Sequence, residues 1–494
     1  RAPYTGQFII VVIGCGISGV AAAHRLVKSG FHHVRIVEAT ARSGGRIKTG
    51  RLGNNIAEIG ASYIHGPSEE NPLFCLARDY GLLDPKALTA ENQAMDIDER
   101  LPWVPNWFSS SGHQKLSTEH MSPALEMFNE LLNDTSQFKN QEETPWASVG
   151  HFIRSEVRSE RWKDKDKSTR KLLLCAVSAK LKEECCASAA HSMDEIDLVG
   201  FCMYKGLSGL DCTFPCGFEG LIKNLMSELP ADLVTYNRPV SCVHWNNTKN
   251  GVNTVIVECD GGERIAADHV IVTVPLGYLK KHHSTLFCPP LPTHKLQSIH
   301  KLGFGTCNKI YVEFDSPWWD ADCDVIYLVW RDEEDILDHV SDISKSWIRK
   351  MSTFTVLKPS ERSGIHVLCG WITGHESEYM ETLPEQEVRD SITELIRTFT
   401  GNATITPRRI LRSQWFHDPW TCGSYSHPAI GCSAQDLENM MEPLPTKGSH
   451  SQPLQVLFAG EATHPCFYST VHGALLTGWR EADRLISHYS CISQ

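Results

Sequence analysis

The sequence predicts an α/β fold in which a Rossmann-like dinucleotide-binding domain is discontinuous and interleaved with an α+β domain. Residues 8–13 are apolar at every position and run into a glycine-rich turn, which is typical of a parallel strand buried on both faces. Comparable strand signals return at 269–275 and 456–461, whereas the stretch from about 80 to 210 carries charged helical segments and few strand signals. At 494 residues the chain is also too long for one hydrophobic core.

The positions of these signals define the expected domains. We expect the dinucleotide-binding domain to contain residues 1–80, 211–285 and 421–494, and the substrate-binding domain to contain residues 81–210 and 286–420. The segments of one domain are thus inserted between those of the other.

Local patterns predict individual elements within this frame. Residues 20–27 have helical composition and residues 33–38 form a second strand, which completes a βαβ unit. The Asp-Gly-Gly turn at 260–262 indicates a hairpin after a strand at 252–259. The remaining predicted elements are strands at 309–314 and 366–371 and helices at 168–184, 385–398 and 471–487.

The net charge of the chain is −12, from 59 acidic and 47 basic residues. An acidic protein disfavours tight nucleic-acid binding and attracts cationic ligands, and solubility alone is the other interpretation of this charge. No apolar run approaches the roughly 20 residues of a membrane-spanning helix, and no secretory signal is visible. We therefore expect neither a nucleic acid nor a membrane among the partners.

Eighteen cysteines are scattered along the chain, without a Cys-x-x-Cys pair or a His/Cys cluster at zinc spacing. Cys185 and Cys186 are neighbours, which suits free thiols better than a disulfide. The pattern predicts reduced thiols in an intracellular compartment and no metal site. Three Asn-x-Ser/Thr sequons, at Asn133, Asn247 and Asn402, are then expected to occur by chance.

A glycine fingerprint follows the first strand. Gly14, Gly16 and Gly19 fit G-x-G-x-x-G. The first glycine permits a tight turn, the second lets the backbone approach a pyrophosphate at the positive end of a helix, and the third lets helix and strand pack closely. Glu38 ends the next strand, where an acidic side chain binds ribose hydroxyls. A tight turn without a ligand is the alternative interpretation.

A second glycine segment follows Glu38. Gly44 and Gly45 allow close backbone approach, and Arg46 can pair with a phosphate. The first fingerprint serves NAD and FAD equally, so that an NAD-dependent dehydrogenase is one alternative. Such an enzyme does not need this second segment or the later pair Gly460-Glu461.

Together the two glycine segments resemble the extended dinucleotide motif of the flavin amine oxidases. The resemblance covers nearly the whole chain. Within the family it is greatest to the polyamine oxidases of vertebrates, through residues 184–186, 191–194 and 209–212. The other matching segments are residues 58–67, 272–277, 302–305, 308–310, 460–463 and 470–480.

The resemblance implies FAD as the cofactor, held without a covalent bond. It implies that Glu461 contacts the ribityl or phosphate region, that Val240 lies near the adenine, and that Thr470 and Val471 place the positive end of the last helix near the flavin ring. Cys466 is the alternative point of covalent attachment. The full set of expected cofactor-binding residues is Gly14, Gly16, Ile17, Ser18, Gly19, Glu38, Arg46, Gly60, Ala61, Val240, Glu461, Thr470 and Val471.

Two residues are expected to act in catalysis. The lysine that holds a water beside the flavin in this family matches Lys309, and burial would lower its pKa. Lys301 is the alternative, and an ordinary solvated strand residue is the other interpretation of Lys309. His65 matches the histidine that faces the substrate, where a neutral imidazole can accept a hydrogen bond from the amine.

The resemblance also implies a set of substrate contacts. Glu184 would bind a distal ammonium, with Glu183 as its competitor. Tyr425 would form an aromatic wall that suits a cation. Thr470 stands at the second aromatic position of the family's cage, which leaves the cage half open and favours a linear amine. The expected substrate-binding residues are His65, Glu184, Ala187, Tyr204, Tyr425 and Thr470.

The implied reaction is oxidation of the secondary amine of N1-acetylspermine or N1-acetylspermidine by hydride transfer to flavin N5. Oxygen is the second substrate, and the products are a shorter polyamine, 3-acetamidopropanal and hydrogen peroxide. Free spermine is the alternative substrate, and a flavin-dependent histone demethylase or a non-catalytic binder are the alternative functions. We expect a monomer in peroxisomes or the cytoplasm, although residues 491–494 show no Ser-Lys-Leu type signal.

Overall fold

The computed structural model describes residues 5–95, 103–112, 115–159, 162–249, 252–358 and 366–492. The strands in these ranges are β1 (Ile9–Ile13), β2 (His33–Val37), β3 (Thr49–Leu52), β4 (Asn55–Glu58), β5 (Pro105–Ser109), β6 (Lys115–Leu116), β7 (Val234–Thr235), β8 (Val240–Lys249), β9 (Val252–Cys259), β10 (Arg264–Ala267), β11 (His269–Val272), β12 (Phe287–Cys288), β13 (Gly303–Gly305), β14 (Cys307–Glu313), β15 (Val325–Val329), β16 (Thr353–Val356), β17 (Val367–Thr373), β18 (Arg409–Arg412), β19 (Tyr425–His427) and β20 (Val456–Phe458).

The helices in the same ranges are α1 (Ile17–Lys28), α2 (Pro72–Asp79), α3 (Ala90–Ala94), α4 (Thr118–Asp134), α5 (Val149–Arg158), α6 (Lys167–Ser188), α7 (Leu198–Phe201), α8 (Glu219–Ser227), α9 (Leu276–Leu286), α10 (Thr293–Lys301), α11 (Ile343–Ser346), α12 (Gly374–Thr382), α13 (Glu385–Thr400), α14 (Ala434–Met441) and α15 (Val471–Ile492).

A five-stranded parallel sheet carries the amino-terminal glycine fingerprint. Its strand order is β20-β11-β1-β2-β7, and each neighbouring pair is parallel. The strands come from the beginning, the middle and the end of the chain. This order confirms the predicted α/β fold in which distant segments build one Rossmann-like sheet, while the exact domain boundaries stay a prediction.

The two faces of this sheet are covered differently. On one face, Ile10 and Val12 pack with apolar residues of α1 and α15. On the other face, Val11 and Ile13 pack with residues of α9 and of a second sheet in the order β10-β9-β8-β12. Because both faces are buried, β1 is apolar throughout, as the sequence indicated.

A seven-stranded sheet forms the second large layer, in the order β18-β14-β17-β16-β15-β5-β6. Its pairs are antiparallel apart from β15 and β5. The stretch between residues 80 and 210, where the sequence shows few strand signals, contributes two short strands to this sheet, β5 and β6. β14 lies inside the sheet between β18 and β17, so that its backbone is paired on both sides.

Most locally predicted elements are present with shifted ends. The hairpin at 260–262 joins antiparallel β9 and β10. α6 covers the helix predicted at 168–184 and continues to Ser188, and α1 begins at Ile17, three residues before the predicted start. No helix among the described residues is both long enough and apolar enough to cross a bilayer.

Candidate active site

A cavity of about 950 Å³ lies between the parallel sheet and the seven-stranded sheet. This volume is at the upper end of the roughly 300–1,000 Å³ typical of ligand sites. The cavity is lined by every predicted site residue except Gly19. The structure therefore brings the predicted cofactor-binding and substrate-binding residues, which come from the beginning, the middle and the end of the chain, to one place.

The glycine fingerprint forms the turn between β1 and α1. Gly14 has a φ of +109°, a conformation that favours glycine. A Cβ on Gly19 would overlap the carbonyl oxygen of Gly14 and press on Val12 at 3.2 Å, whereas a Cβ on Gly16 would have only the Gly44 oxygen nearby, at 4.0 Å. Gly19 thus permits packing, and Gly16 leaves open space for a ligand.

The amino terminus of α1 faces the same open space. Gly16 is the residue that precedes the helix, and no side chain caps it. The first amide groups of a helix lack partners inside the helix and carry a partial positive charge. The turn therefore fits a pyrophosphate.

Glu38 follows β2 and is buried beside this turn. Its Oε1 accepts a hydrogen bond from the Cys15 amide at 2.9 Å, and its Oε2 accepts from the amide and hydroxyl of Thr40, each at 2.8 Å. These bonds fix the carboxylate at the cavity wall, and Oε1 keeps acceptor capacity for a ribose hydroxyl.

The second glycine segment packs against the first. The Gly44 amide donates to the Cys15 carbonyl at 2.8 Å. Arg42, which the sequence analysis did not single out, donates to the carbonyls of Ser43 at 3.0 Å and Ile47 at 2.8 Å. Its guanidinium therefore holds the shape of the loop and places a positive charge at this end of the cavity.

Arg46 and Glu461 form an ion pair at 3.0 Å across the cavity wall. Oε1 of Glu461 also accepts from the Ser426 amide at 3.0 Å, and its Oε2 accepts from the Ser426 hydroxyl at 2.6 Å and the Ser469 amide at 2.7 Å. Each carboxylate oxygen thus has two donors. A direct contact from Glu461 to the cofactor, which the resemblance implies, would require one of these bonds to be exchanged.

The start of α15 is the third element at this end. The Thr470 hydroxyl accepts from the Gly473 amide at 2.9 Å and donates to the Phe467 carbonyl at 2.6 Å. Thr470 therefore acts as a helix cap. Val471, Gly60, Ala61, Val240, Ile17 and Ser18 also line the cavity.

Lys309 projects from β14 into the other part of the cavity and is only 6% exposed. Its Nζ donates to the Glu58 carbonyl at 3.2 Å and to the Gly60 carbonyl and Ser62 hydroxyl. Burial lowers the pKa of Lys309. Lys301, the alternative, has a half-exposed side chain at the end of α10, 3.9 Å from Asp436, and does not line the cavity.

His65 is paired with Asp211. The sequence did not predict this pair. The ring Nδ1 lies 2.7 Å from Asp211 Oδ2, and it must donate because a carboxylate can only accept. Burial acts to lower the pKa of His65, but the Asp211 carboxylate outweighs it and the pKa is raised. The raised pKa favours the protonated ring and so works against the expected neutral form of His65. The other ring nitrogen, Nε2, points away from the Asp211 carboxylate.

Two adjacent carboxyl groups of α6 line the cavity. Glu183 pairs with Lys180 at 2.9 Å and accepts from the Thr353 hydroxyl at 3.4 Å. Glu184 has no hydrogen-bond partner among the described residues. Burial, and then the charge of Glu183, raise the pKa of Glu184 to about 7. Glu184 is thus the carboxyl that remains available to a cation.

Aromatic side chains enclose the same part of the cavity. The Tyr425 hydroxyl donates to the Cys186 carbonyl, which fixes its ring on the wall. Tyr204 lies edge-on to Tyr468, with ring centroids 5.6 Å apart. Ala187 is exposed and lines the cavity, so that α6 offers an open surface there. Tyr468 was not predicted, because a tyrosine three residues before a helix has no distinctive pattern.

Cys466, the alternative covalent attachment point, does not line the cavity. Its sulfur lies 3.9 Å from Nδ1 of His464. The residues around the cavity therefore fit a dinucleotide held by hydrogen bonds and charge.

Comparisons with known proteins match nearly the whole chain. The family model described as "Flavin containing amine oxidoreductase" matches residues 17–486. The chain is 45% identical to a Bos taurus protein named peroxisomal N(1)-acetyl-spermine/spermidine oxidase, over 99% of this chain and 96% of that protein. It is also 45% identical to the Homo sapiens protein of the same name, over 97% and 94%.

More distant proteins match over the same length. A probable polyamine oxidase 5 of Arabidopsis thaliana is 31% identical, over 98% of each chain. The solved structure of an engineered putrescine oxidase has a TM-score of 0.68 and covers 97% of this chain and 99% of its own. At 18% identity this last likeness supports the fold alone.

Proposed function

This chain belongs to the family of flavin-containing amine oxidoreductases, and we propose that it oxidises the secondary amine of N1-acetylspermine and N1-acetylspermidine. One amine, one oxygen and one water would give a shorter polyamine, 3-acetamidopropanal and hydrogen peroxide. The observation that carries this proposal is that one cavity joins the uncapped start of α1 to buried Lys309 and to the carboxyl of Glu184, which has no hydrogen-bond partner among the residues that the structure describes.

The chain is an FAD-dependent enzyme, and bound FAD supplies the hydride acceptor and passes the electrons to oxygen. The α1 terminus and the Gly16 backbone are suited to its pyrophosphate, Glu38 to its ribose, and Arg46 to a phosphate. These assignments rest on the open space and the donor groups at the turn between β1 and α1.

Lys309 is proposed to handle a proton close to the reacting amine. All three protons of its ammonium have acceptors, namely the Glu58 and Gly60 carbonyls and the Ser62 hydroxyl. A water would therefore have to donate to the neutral amine or replace one of these bonds. Burial favours the neutral form because it penalises the charged one.

His65 is proposed to orient the reacting amine. With Nδ1–H donated to Asp211, the neutral ring presents Nε2 as an acceptor for the amine N–H. Asp211 thus acts as a positioning residue, because it selects the tautomer without touching the substrate.

Glu184 is proposed to bind the distal ammonium of the substrate. Its pKa of about 7 in the free protein would fall when a cation binds, because an opposite charge favours the ionised carboxyl. The acetylated end has no charge and needs no such partner. Substrate binding therefore selects which secondary amine faces Lys309.

The test is a comparison of kcat/KM for N1-acetylspermine and spermine, measured as peroxide release. We expect the acetylated amine to be preferred, and we expect Glu184→Gln to reduce kcat/KM more than the matched control Glu183→Gln, whose carboxyl already pairs with Lys180. A preference for spermine would support the alternative of a spermine oxidase. No turnover of either amine would remove the oxidase proposal.

We also propose that the protein acts as a monomer in peroxisomes, as the names of its mammalian relatives indicate for the compartment of those proteins. Light scattering of the purified protein tests the first statement. Microscopy of the tagged full-length protein tests the second, and exclusion from peroxisomes would contradict it.

A further inference from the structure

Two cysteines meet in the cavity wall beside Lys309. Cys186 is near the end of α6 and Cys307 begins β14, and the two pack together with Ala189 in a small buried cluster. Both line the cavity. We call Cys186 and Cys307 the thiol pair. Because side chains two residues apart on a strand share a face, Cys307 and Lys309 face the cavity together.

The backbones that carry the thiol pair are held close to each other. The Thr373 hydroxyl lies 3.1 Å from the Ala190 carbonyl and 2.8 Å from the Thr306 carbonyl, so that it bridges the end of α6 and the start of β14. A Cβ on Gly305 would overlap the Ala189 carbonyl. This close approach explains why the two thiols can contact each other.

The two thiols differ in character. A hydrogen bond from Cys186 lowers the pKa of Cys307; burial opposes it, while Tyr425 and the charge of Lys309 assist. The same hydrogen bond, followed by burial, raises the pKa of Cys186. Cys307 is therefore the more thiolate-like sulfur, and thiolates are the forms that react with peroxides.

We propose that the thiol pair is a peroxide-modification site, at which hydrogen peroxide released in the cavity joins Cys186 and Cys307 in a reversible disulfide. That the enzyme itself supplies the peroxide rests on the proposed function. The oxidation of the thiol pair does not depend on that function, because added peroxide can take the place of the enzyme's product.

The reaction balances with peroxide as the only oxidant. The Cys307 sulfur attacks one peroxide oxygen, the O–O bond breaks, and a sulfenic acid forms as hydroxide leaves and takes up a proton. The Cys186 sulfur then attacks the Cys307 sulfur, the S–O bond breaks, and water leaves. Two thiols and one peroxide thus give one disulfide and two waters.

The disulfide would change the wall that binds substrate. The Tyr425 hydroxyl donates to the Cys186 carbonyl, and Glu184 and Ala187 stand on the same turn of α6. A bond between Cys186 and Cys307 of β14 would therefore shift the Tyr425 ring and the Glu184 carboxyl together. We expect oxidation to lower kcat/KM several-fold and a thiol reductant to restore it.

The test uses flavin-loaded protein carrying Cys185→Ser, so that α6 has one thiol at this position. Cys185 is suitable because its sulfur faces Asp338 at 3.6 Å and does not line the cavity. The protein is treated with hydrogen peroxide without amine, its remaining thiols are alkylated, and unreduced peptides are analysed by mass spectrometry. We expect a linked pair of peptides, lighter by about 2 Da than the two reduced peptides together, which disappears with dithiothreitol.

The matched variant Cys307→Ser should form no such link. On peroxide treatment it should lose a smaller fraction of its untreated kcat/KM than the protein that keeps Cys307. Two alkylated thiols after peroxide treatment, or an equal loss of rate in Cys307→Ser, would overturn the proposal. A second arm uses N1-acetylspermine with and without catalase. A link that forms with added peroxide but not during measured turnover would refute the enzyme's own product as the oxidant, whereas absence of turnover would refute only the proposed function.

Discussion

Replacing Asp211 by asparagine tests how the structure sets the state of His65. In the native site the Asp211 carboxylate can only accept, so Nδ1 of His65 donates and Nε2 is an acceptor. Oδ1 of Asp211 also accepts from the Gly66 amide at 3.2 Å. An asparagine that keeps the Gly66 bond turns its NH₂ group toward Nδ1, which reverses the tautomer and makes Nε2 a donor.

The cost follows from the hydrogen bond that His65 is proposed to make with the reacting amine and that the substitution removes. A donor that faces another donor forfeits about 1–3 kcal/mol. Because both His65 and Asp211 are partly exposed, the lower half of that range, about 1–2 kcal/mol, is appropriate. We therefore expect Asp211→Asn to reduce kcat/KM roughly five- to thirtyfold.

The assay is the pH dependence of kcat/KM for N1-acetylspermine, together with NMR titration of His65. Loss of the carboxylate should lower the pKa of His65, because that carboxylate raises it in the native protein, and the acidic limb of the profile should move to lower pH. Asp211→Ala is the control, since it removes the charge without imposing a donor, and it should retain more activity than Asp211→Asn. Equal kcat/KM in native protein and Asp211→Asn, or an unmoved His65 titration, would refute this reasoning.

The remaining predictions concern the two ends of the cavity. Gly16→Ala should leave the melting temperature of the flavin-free protein unchanged and reduce its flavin content, whereas Gly19→Ala should lower that melting temperature, because only the second Cβ meets protein atoms; equal melting temperatures would contradict this. Lys309→Met should slow flavin reduction about 10²–10⁴-fold in stopped flow, and Lys301→Met, altered outside the cavity, should not. The pKa of Glu184 is about 7 in the native protein, against a usual value of 4.5. The free energy of unfolding should therefore fall by at most about 3 kcal/mol as the pH rises between these two values, because the folded protein resists ionisation of this carboxyl. Thermal melts of Glu184→Gln should lack this loss.

The dinucleotide end of the cavity could be predicted from sequence because its parts are close in the chain. β1, the glycine turn and β2 lie within the first 38 residues, and Gly14 and Gly19 each have a local steric reason to be there. Lys309 could be located only through the family resemblance, since a lysine in a strand that also contains Asn308 and Glu313 looks like an ordinary solvated residue. Its burial follows from β14 lying inside the seven-stranded sheet.

Partnerships across the chain could not be predicted. His65 and Asp211 are 146 residues apart, and Arg46 and Glu461 are 415 residues apart. Spacing carries no information about such pairs, because the fold rather than the local chain brings them together. The same reason explains the missed strand β5, whose partner β15 lies more than 200 residues later.

The charges around the cavity explain how one space can serve an anionic cofactor and a cationic substrate. At one end the α1 terminus and Arg42 are suited to a pyrophosphate, while the charge of Arg46 is already balanced by Glu461. At the other end Asp211 and Glu184 provide acidic groups, and because charges inside a cavity are screened less than at the surface, these groups attract an ammonium. An acetyl group removes one ammonium from the substrate, so that only one charged end needs a partner, for which we propose Glu184. This proposed arrangement favours a singly acetylated amine over one that is charged at both ends.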